Sequence, residues 1–297
     1  MSERIEKLQQ MATQIRRDIV NAIYYSGDGH PGPCMSIVDI MTPLLFDIMR
    51  LDPSQPKWLH RDRFILSKGH AAPALYAGLA RRGYFLPSQL KNLRKLGSPL
   101  QGHPVPKETP GVEVTAGSLG HGLSQGCGMA LAARKRGDDN VIFVVTGDGE
   151  LNEGIVWEAA MTIAKYKLTN LIAVVDNNGV QSGGKVTEIG GLVKLKEKWE
   201  AFGWYAVEID GHDLGLLTIA FENAARRGRL PLEKRSGMTI IPGMEAPLPE
   251  QPIVFIAKTV KGKGVPYMEG NNAWHKRVPT IEEYETAMSV LGGKDLE

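Results

Sequence analysis

Two apolar runs rich in β-branched residues flank a stretch of helical period between positions 141 and 181, VIFVVTGDGELNEGIVWEAAMTIAKYKLTNLIAVVDNNGVQ. Strand, helix and returning strand make one βαβ unit, the building block of a parallel sheet. The same rhythm extends through the chain. Ile5, Leu8, Ile15, Ile19 and Ile23 keep to one face of an amphipathic helix that ends near Gly27. A second helix is predicted over about 35–49, a short strand over 63–66, a helix from near Ala72 with Pro73 in its first turn, and another over 123–136. Beyond the central unit, 192–202 reads as helix, 205–209 as strand, 214–227 as helix and 253–259 as strand. Gly211-His212-Asp213 reads as turn and helix cap, with His212 structural, and Thr280 with Glu283 forms a capping-box pair opening a last helix. Alternating strands and helices predict an α/β fold: a doubly wound, mostly parallel sheet flanked by helices. Two segments fall outside the rhythm. Residues 26–32, SGDGHPG, are too Gly-rich for helix or strand, and 229–252 carries five prolines, predicting an exposed insertion whose basic residues form a solvated surface.

At 297 residues the length allows one or two domains, and we read 1–297 as one. An apolar content of 42% permits a large core. The net charge of +2 is scattered, without the concentrated positive stripe of a nucleic-acid binder. Cys34 and Cys127 lie far apart and outside any CxxC spacing, against a disulfide framework or zinc site and in favour of a reducing compartment. The N-terminal stretch lacks the apolar core of a signal peptide and no run could span a bilayer, so a cytoplasmic protein is expected. No GxGxxG follows an early strand, which disfavours a nicotinamide-dinucleotide fold.

The candidate chemistry sits at predicted strand ends. Thr146-Gly147-Asp148-Gly149 follows the first run of the central unit and Asp176-Asn177-Asn178 the second, at the carboxyl tips where open α/β sheets bind ligands. Asp148 and Asn178 are 178 − 148 = 30 residues apart, one βαβ crossover, so they can meet on one ion. Oxygen ligands select a hard cation such as Mg²⁺ that shares its shell with a diphosphate. Gly147 and Gly149 let a phosphate approach the backbone. Ser67-Lys68-Gly69-His70-Ala71-Ala72-Pro73 presents a helix N-terminus to an anion, and Gly117-Ser118-Leu119-Gly120-His121-Gly122 opens another helix.

GDG followed after a helix and strand by NN resembles the thiamine-diphosphate signature, and GDGELNEGIVWEA resembles its transketolase form. SKGHAAP, the His30 loop GHPG, GHPVP around His103, GSLGHG, KTVKGKG and Trp274-His275 extend the resemblance over nearly the whole chain. The resemblance implies thiamine diphosphate and Mg²⁺ as cofactors, with Asp148, Asn178 and the carbonyl of Val180 as metal ligands. It implies cofactor contacts from Lys68, His70, Gly117, Ser118, Leu119, Gly147, Gly149, Glu153 and Gln181. His30, His103 and His275 match histidines that approach the substrate. Glu153 and Glu158 are similar to acids that link paired active sites; first-turn charges favoured by the helix dipole are the alternative. His121 and Lys276 depart from the family pattern, where Gln and Gly are common, and the second departure puts the pose of His275 in question.

In that family a pyrimidine-binding domain, which brings the glutamate that protonates the aminopyrimidine, follows the diphosphate-binding one. The resemblance stops at Glu297. It therefore implies the N-terminal subunit of a split transketolase, completed by a separate C-terminal subunit in an α2β2 heterotetramer. The activity implied is transfer of a two-carbon ketol unit from a ketose to an aldose, or their phosphates, through a thiamine diphosphate ylide. The alternatives are a 2-oxo-acid dehydrogenase α-like subunit and a cofactor-binding subunit without catalysis.

Overall fold

In the computed structural model, which describes residues 2–293, the chain runs α1 (Glu3–Ser26), α2 (Pro31–Ser36), α3 (Val38–Pro43), β1 (Arg63–Leu66), α4 (Ala72–Arg82), α5 (His121–Arg136), β2 (Ile142–Gly147), α6 (Gly154–Lys165), β3 (Leu171–Asn177), β4 (Val180–Gln181), β5 (Gly184–Lys185), α7 (Val186–Ile189), α8 (Leu195–Ala201), β6 (Tyr205–Asp210), α9 (Leu214–Arg229), β7 (Ile253–Lys258) and α10 (Ile281–Val290). Five strands pair in the order β1-β2-β3-β7-β6, every pair parallel. The register sets Gly147 beside Asp176 and Asn177 beside Lys258, so the polar tips of β2, β3 and β7 lie in a row. The β4–β5 hairpin folds immediately beyond β3.

Apolar residues alternate between two cores across this sheet. Phe143, Val145, Ile172, Val174 and Phe255 join one cluster with residues of α1, α3, α4 and α9. Ile142, Val144, Leu171, Ala173 and Val175 join the other, with residues of α5, α6 and α8. Helices on both faces bury β2, β3 and β7 on both sides, which is why these strands read as nearly unbroken apolar runs, while the edge strand β6 exposes Glu208 and Asp210. Among the described residues no helix is long and apolar enough to cross a membrane.

Three expectations need correction. The helix predicted over 35–49 begins at Pro31, breaks at Ile37 and ends as a π-turn over Leu44–Ile48. Pro31 suits a first helical position, whereas Pro43 has no N–H to donate and disturbs the ladder around it. The helix predicted from 192 starts at Leu195, because Lys194 adopts a left-handed φ of 55°. In 229–252 most residues are exposed, but the basic surface is not what was expected. Arg235 is buried and bonds Leu230 O and Thr169, and Arg229 pairs with Asp62 at 2.5 Å. Buried Arg227 of α9 donates to the carbonyls of Leu248, Pro249 and Gln251 at 2.6, 2.9 and 3.1 Å. Arg227 and Arg235 thus satisfy backbone acceptors in and beside a segment whose prolines have no N–H donors of their own.

Candidate active site

The row of strand tips forms the floor of a cavity of about 660 Å³. Asp148 follows β2, is 3% exposed, and accepts from Gly149 N–H at 2.8 Å and Gly179 N–H at 2.5 Å. Burial, and next to it Asp176, pushes its carboxyl up to about 6. Asp176, fully buried on β3, accepts from Lys68 Nζ at 2.5 Å, Ser36 Oγ at 2.6 Å and Asn178 Nδ2 at 3.0 Å, and also from Thr259. Burial alone would raise its pKa; Lys68 holds it below the usual carboxylate range. Two buried carboxylates thus meet at the tips of β2 and β3, and of these only Asp176 has an ion-pair partner among the described residues, an imbalance of paired charge.

That imbalance is what a cation would relieve. Asn178 Oδ1, which accepts from Val180 N–H at 3.1 Å, and the Val180 carbonyl lie on the loop that Asp148 grips. Among the described residues no cluster of three or more His, Cys, Asp or Glu could hold a metal by itself. A metal here must therefore combine carboxylate, amide and carbonyl oxygens, a donor set suited to a hard divalent ion. Beside it, a Cβ on Gly149 would stand 2.7 Å from Gln181 Cβ, so only glycine lets these two loops meet. The donor chemistry fits a metal-bound diphosphate, while the glycine at 149 serves the close approach of Gln181.

Imidazoles form the wall. His30 precedes α2, His70 lies in the turn before α4, and His275 follows the short helix Asn272–Trp274. Their ring centroids stand 5.3, 5.6 and 5.4 Å apart, three rings from distant parts of the chain in one triangle. Burial pushes His30 and His275 down to about 4 and holds His70 well below the ordinary histidine value. His103 joins the lining beside Gly117, and burial followed by Arg94 lowers its pKa. All four rings are neutral at physiological pH.

Of the residues singled out from sequence, His30, Lys68, His70, His103, Gly117, Leu119, Gly147, Asp148, Gly149, Glu153, Asn178, Val180, Gln181 and His275 all line this cavity. Ser118 is exposed outside the lining, and Glu158 is exposed on α6. Two placements differ from expectation. The Lys68 ammonium points down into the floor, toward Asp176 and the Pro33 carbonyl at 3.0 Å, and not toward a ligand. The helix N-terminus after GSLGHG is already occupied: Gly120 N–H donates to Glu150 at 2.7 Å, and Gly122 N–H donates to Ser67 at 3.1 Å. Lys276 leaves His275 in the lining, its own ammonium lying 3.7 Å from Asp28. His212 is structural, bound to Asp39 at 2.7 Å and accepting from Val260 N–H at 2.8 Å. Sequence reasoning missed Asp176, Glu150 and Lys261. The available signal was a charged residue embedded in or just beyond an apolar strand run, where burial forces it to be paired.

Comparison with known proteins agrees with this geometry. The family model described as transketolase, thiamine diphosphate binding domain, matches residues 7–292. The chain is 39% identical over 284 residues to an apulose-4-phosphate transketolase subunit of Phocaeicola vulgatus, covering 96% of this chain and 93% of that protein. It is 39% identical over 292 residues to 6-deoxy-6-sulfo-D-fructose transketolase subunit SqwG of a Clostridium species, covering 98% of both. Human transketolase is 37% identical over 274 residues, 92% of this chain but 40% of that protein. The crystal structure of transketolase from Campylobacter jejuni superposes with a TM-score of 0.84 at 31% identity, over 99% of this chain and 44% of that one. The chain therefore spans about two fifths of the length of these full transketolases. Fold and site define a thiamine-diphosphate-binding α/β domain. The chain belongs to the transketolase family, as its thiamine diphosphate binding domain.

Proposed function

We propose that this chain is the N-terminal subunit of a two-subunit transketolase, transferring a two-carbon ketol unit from a ketose or its phosphate to an aldose or its phosphate. The observation that carries this reading is the likeness, at 39% identity over 93% and 98% of their lengths, to two proteins that are themselves named as transketolase subunits. The partner is a separate C-terminal subunit with the pyrimidine-binding domain, in an α2β2 assembly located in the cytoplasm. The whole-length match to transketolase subunits argues against a 2-oxo-acid dehydrogenase α-like subunit, and the intact imidazole wall argues against a purely cofactor-holding one.

Asp148, Asn178 and the Val180 carbonyl would hold Mg²⁺, and His70, Gly117, Leu119, Gly147, Gly149, Glu153 and Gln181 would surround thiamine diphosphate. Lys68 serves this site by balancing Asp176. When bound, the cofactor supplies the carbanion chemistry that breaks and remakes the carbon–carbon bond, as cofactors do for reactions side chains cannot perform. The protein's part is orientation and proton handling. His30 and His103, neutral and on the substrate side, accept or return protons at sugar hydroxyls, while His275 addresses the carbonyl oxygen. The test is ketol transfer assayed with this chain by itself, with the candidate C-terminal polypeptide by itself, and with both, alongside calorimetric titration of thiamine diphosphate and Mg²⁺. Activity only in the mixture is expected; full activity of either polypeptide in isolation, or no cofactor uptake by the pair, would overturn the reading.

A further inference from the structure

A second buried lysine borders the cavity, outside the roles assigned so far. Lys261 lies three residues beyond β7 and is 1% exposed, yet no carboxylate pairs with it among the described residues. Its stem passes Gly32, where an added Cβ would come within 3.1 Å of Lys261 Cγ, so the glycine of the GHPG loop clears its path. Nζ reaches Asn272 Oδ1 at 2.8 Å, His275 Nδ1 at 2.9 Å and, more distantly, Val180 O at 3.5 Å. Asn272 cannot turn its amide around, because its Nδ2 donates to Ser182 O at 3.1 Å; the atom facing Lys261 is therefore the oxygen.

We propose that Lys261 is a positioning residue whose ammonium donates to His275 Nδ1, so that His275 is held as the Nε2–H tautomer and offers the substrate an N–H donor rather than a base. An ammonium has three protons and no lone pair, so any ring nitrogen it touches must accept. Asn272 Oδ1 takes one proton and His275 Nδ1 another. With Nδ1 accepting, the ring's proton sits on Nε2, and the ring plane is fixed at the same time. The other groups facing His275 are His30 and His70, both with pKa values lowered by burial, and Lys68, whose ammonium is engaged by Asp176 and the Pro33 carbonyl, so none competes for Nδ1. This divides labour within the wall: His275 stabilises a developing oxyanion by donation, and proton acceptance falls to His30 and His103. The inference rests on the proposed transketolase reaction for its purpose, but not for its measurement.

The measurement is nitrogen-15 NMR of histidine-labelled full-length chain, with His275 assigned by its loss in His275→Gln. In wild type, Nε2 should carry the proton, with Nδ1 showing the shift of an acceptor bonded to a cation. In Lys261→Met that Nδ1 signal should move to the position of a free imidazole nitrogen. In Lys261→Glu, where a carboxylate accepts from Nδ1–H, the tautomer should reverse. A proton on Nδ1 in wild type, or an Nδ1 signal unchanged in Lys261→Met, would overturn the proposal, and the wild-type spectrum decides even if a variant fails to fold. In the assembled two-subunit enzyme, Lys261→Met and His275→Gln should each lower kcat, and the double variant should lose little more than His275→Gln alone, since the lysine acts through the ring. Multiplicative losses would overturn it. A wild-type complex with no ketol transfer would sink the functional reading while leaving the tautomer result standing.

Discussion

Floor and wall of the same cavity hold their polar groups by opposite means. At the floor, Asp148, Asp176 and Lys68 remain as charged partners, each bonded to several groups, because strand tips deliver them side by side in a dry place. At the wall, His30, His70 and His275 are neutralised by burial and touch mainly one another. Fixed charge suits an anchor for a metal and a diphosphate, whereas a ring near neutrality can take or give a proton without a large change in solvation. Lys261 belongs to neither class: a buried cation held by neutral acceptors, joining the Val180 loop of the floor to His275 of the wall.

Removing a wall group should leave the floor intact. His30→Ala is expected to lower turnover ~10²–10⁴-fold in the assembled enzyme with melting temperature unchanged; loss of the fold without a specific kinetic defect would mean that the ring is core, not chemistry. Removing a floor group should do the reverse. Lys68→Met leaves Asp176 buried without its cation and is expected to cost ~3–5 kcal/mol in urea denaturation. Asp148→Asn removes the only carboxylate of the metal set. Calorimetry should show thiamine diphosphate affinity in Mg²⁺ falling by more than the ~10–100-fold typical of an outer-shell group, and unchanged uptake would refute the ligand assignment.

Two smaller effects sharpen the contrast. Lys261→Met strands only neutral acceptors, so its stability cost should be ~1–3 kcal/mol, below that of Lys68→Met measured in the same way. The neutral wall also makes a pH prediction. Burial lowers His30 from 6.5 to about 4, so below pH 6.5 the unfolded chain binds a proton that the folded chain refuses. Stability therefore declines as pH falls from 6.5 toward 4. His30→Gln should flatten that decline by well under the ~3 kcal/mol of a fully buried ring, since solvent reaches part of it. An acid limb identical to wild type would show that His30 titrates normally.

Much of this was legible in the residues themselves. The unbroken apolar runs of β2 and β3 and the helical stripe of α1 follow from local sterics and burial, so the α/β rhythm could be read directly. GDG and NN at one crossover's spacing located the floor, because a parallel βαβ unit returns its second tip beside the first. Where tertiary context decides, local pattern misled: the helix N-terminus after GSLGHG gives a backbone donor to Glu150, 30 positions away, and the proline-rich 229–252 segment turns Arg235 inward. No local pattern shows which partner a buried charge will find.

What the sequence determined alone is the alternation of elements and the chemistry at each strand tip, since both are properties of short windows of chain. Only the tertiary structure decided that Lys68 turns to Asp176 rather than to a ligand, that His30, His70 and His275 close into one triangle, and that Lys261 reaches His275 past Gly32. Each of these is a contact between chain segments brought together by packing, where the low dielectric makes an unpaired group costly and so selects its partner.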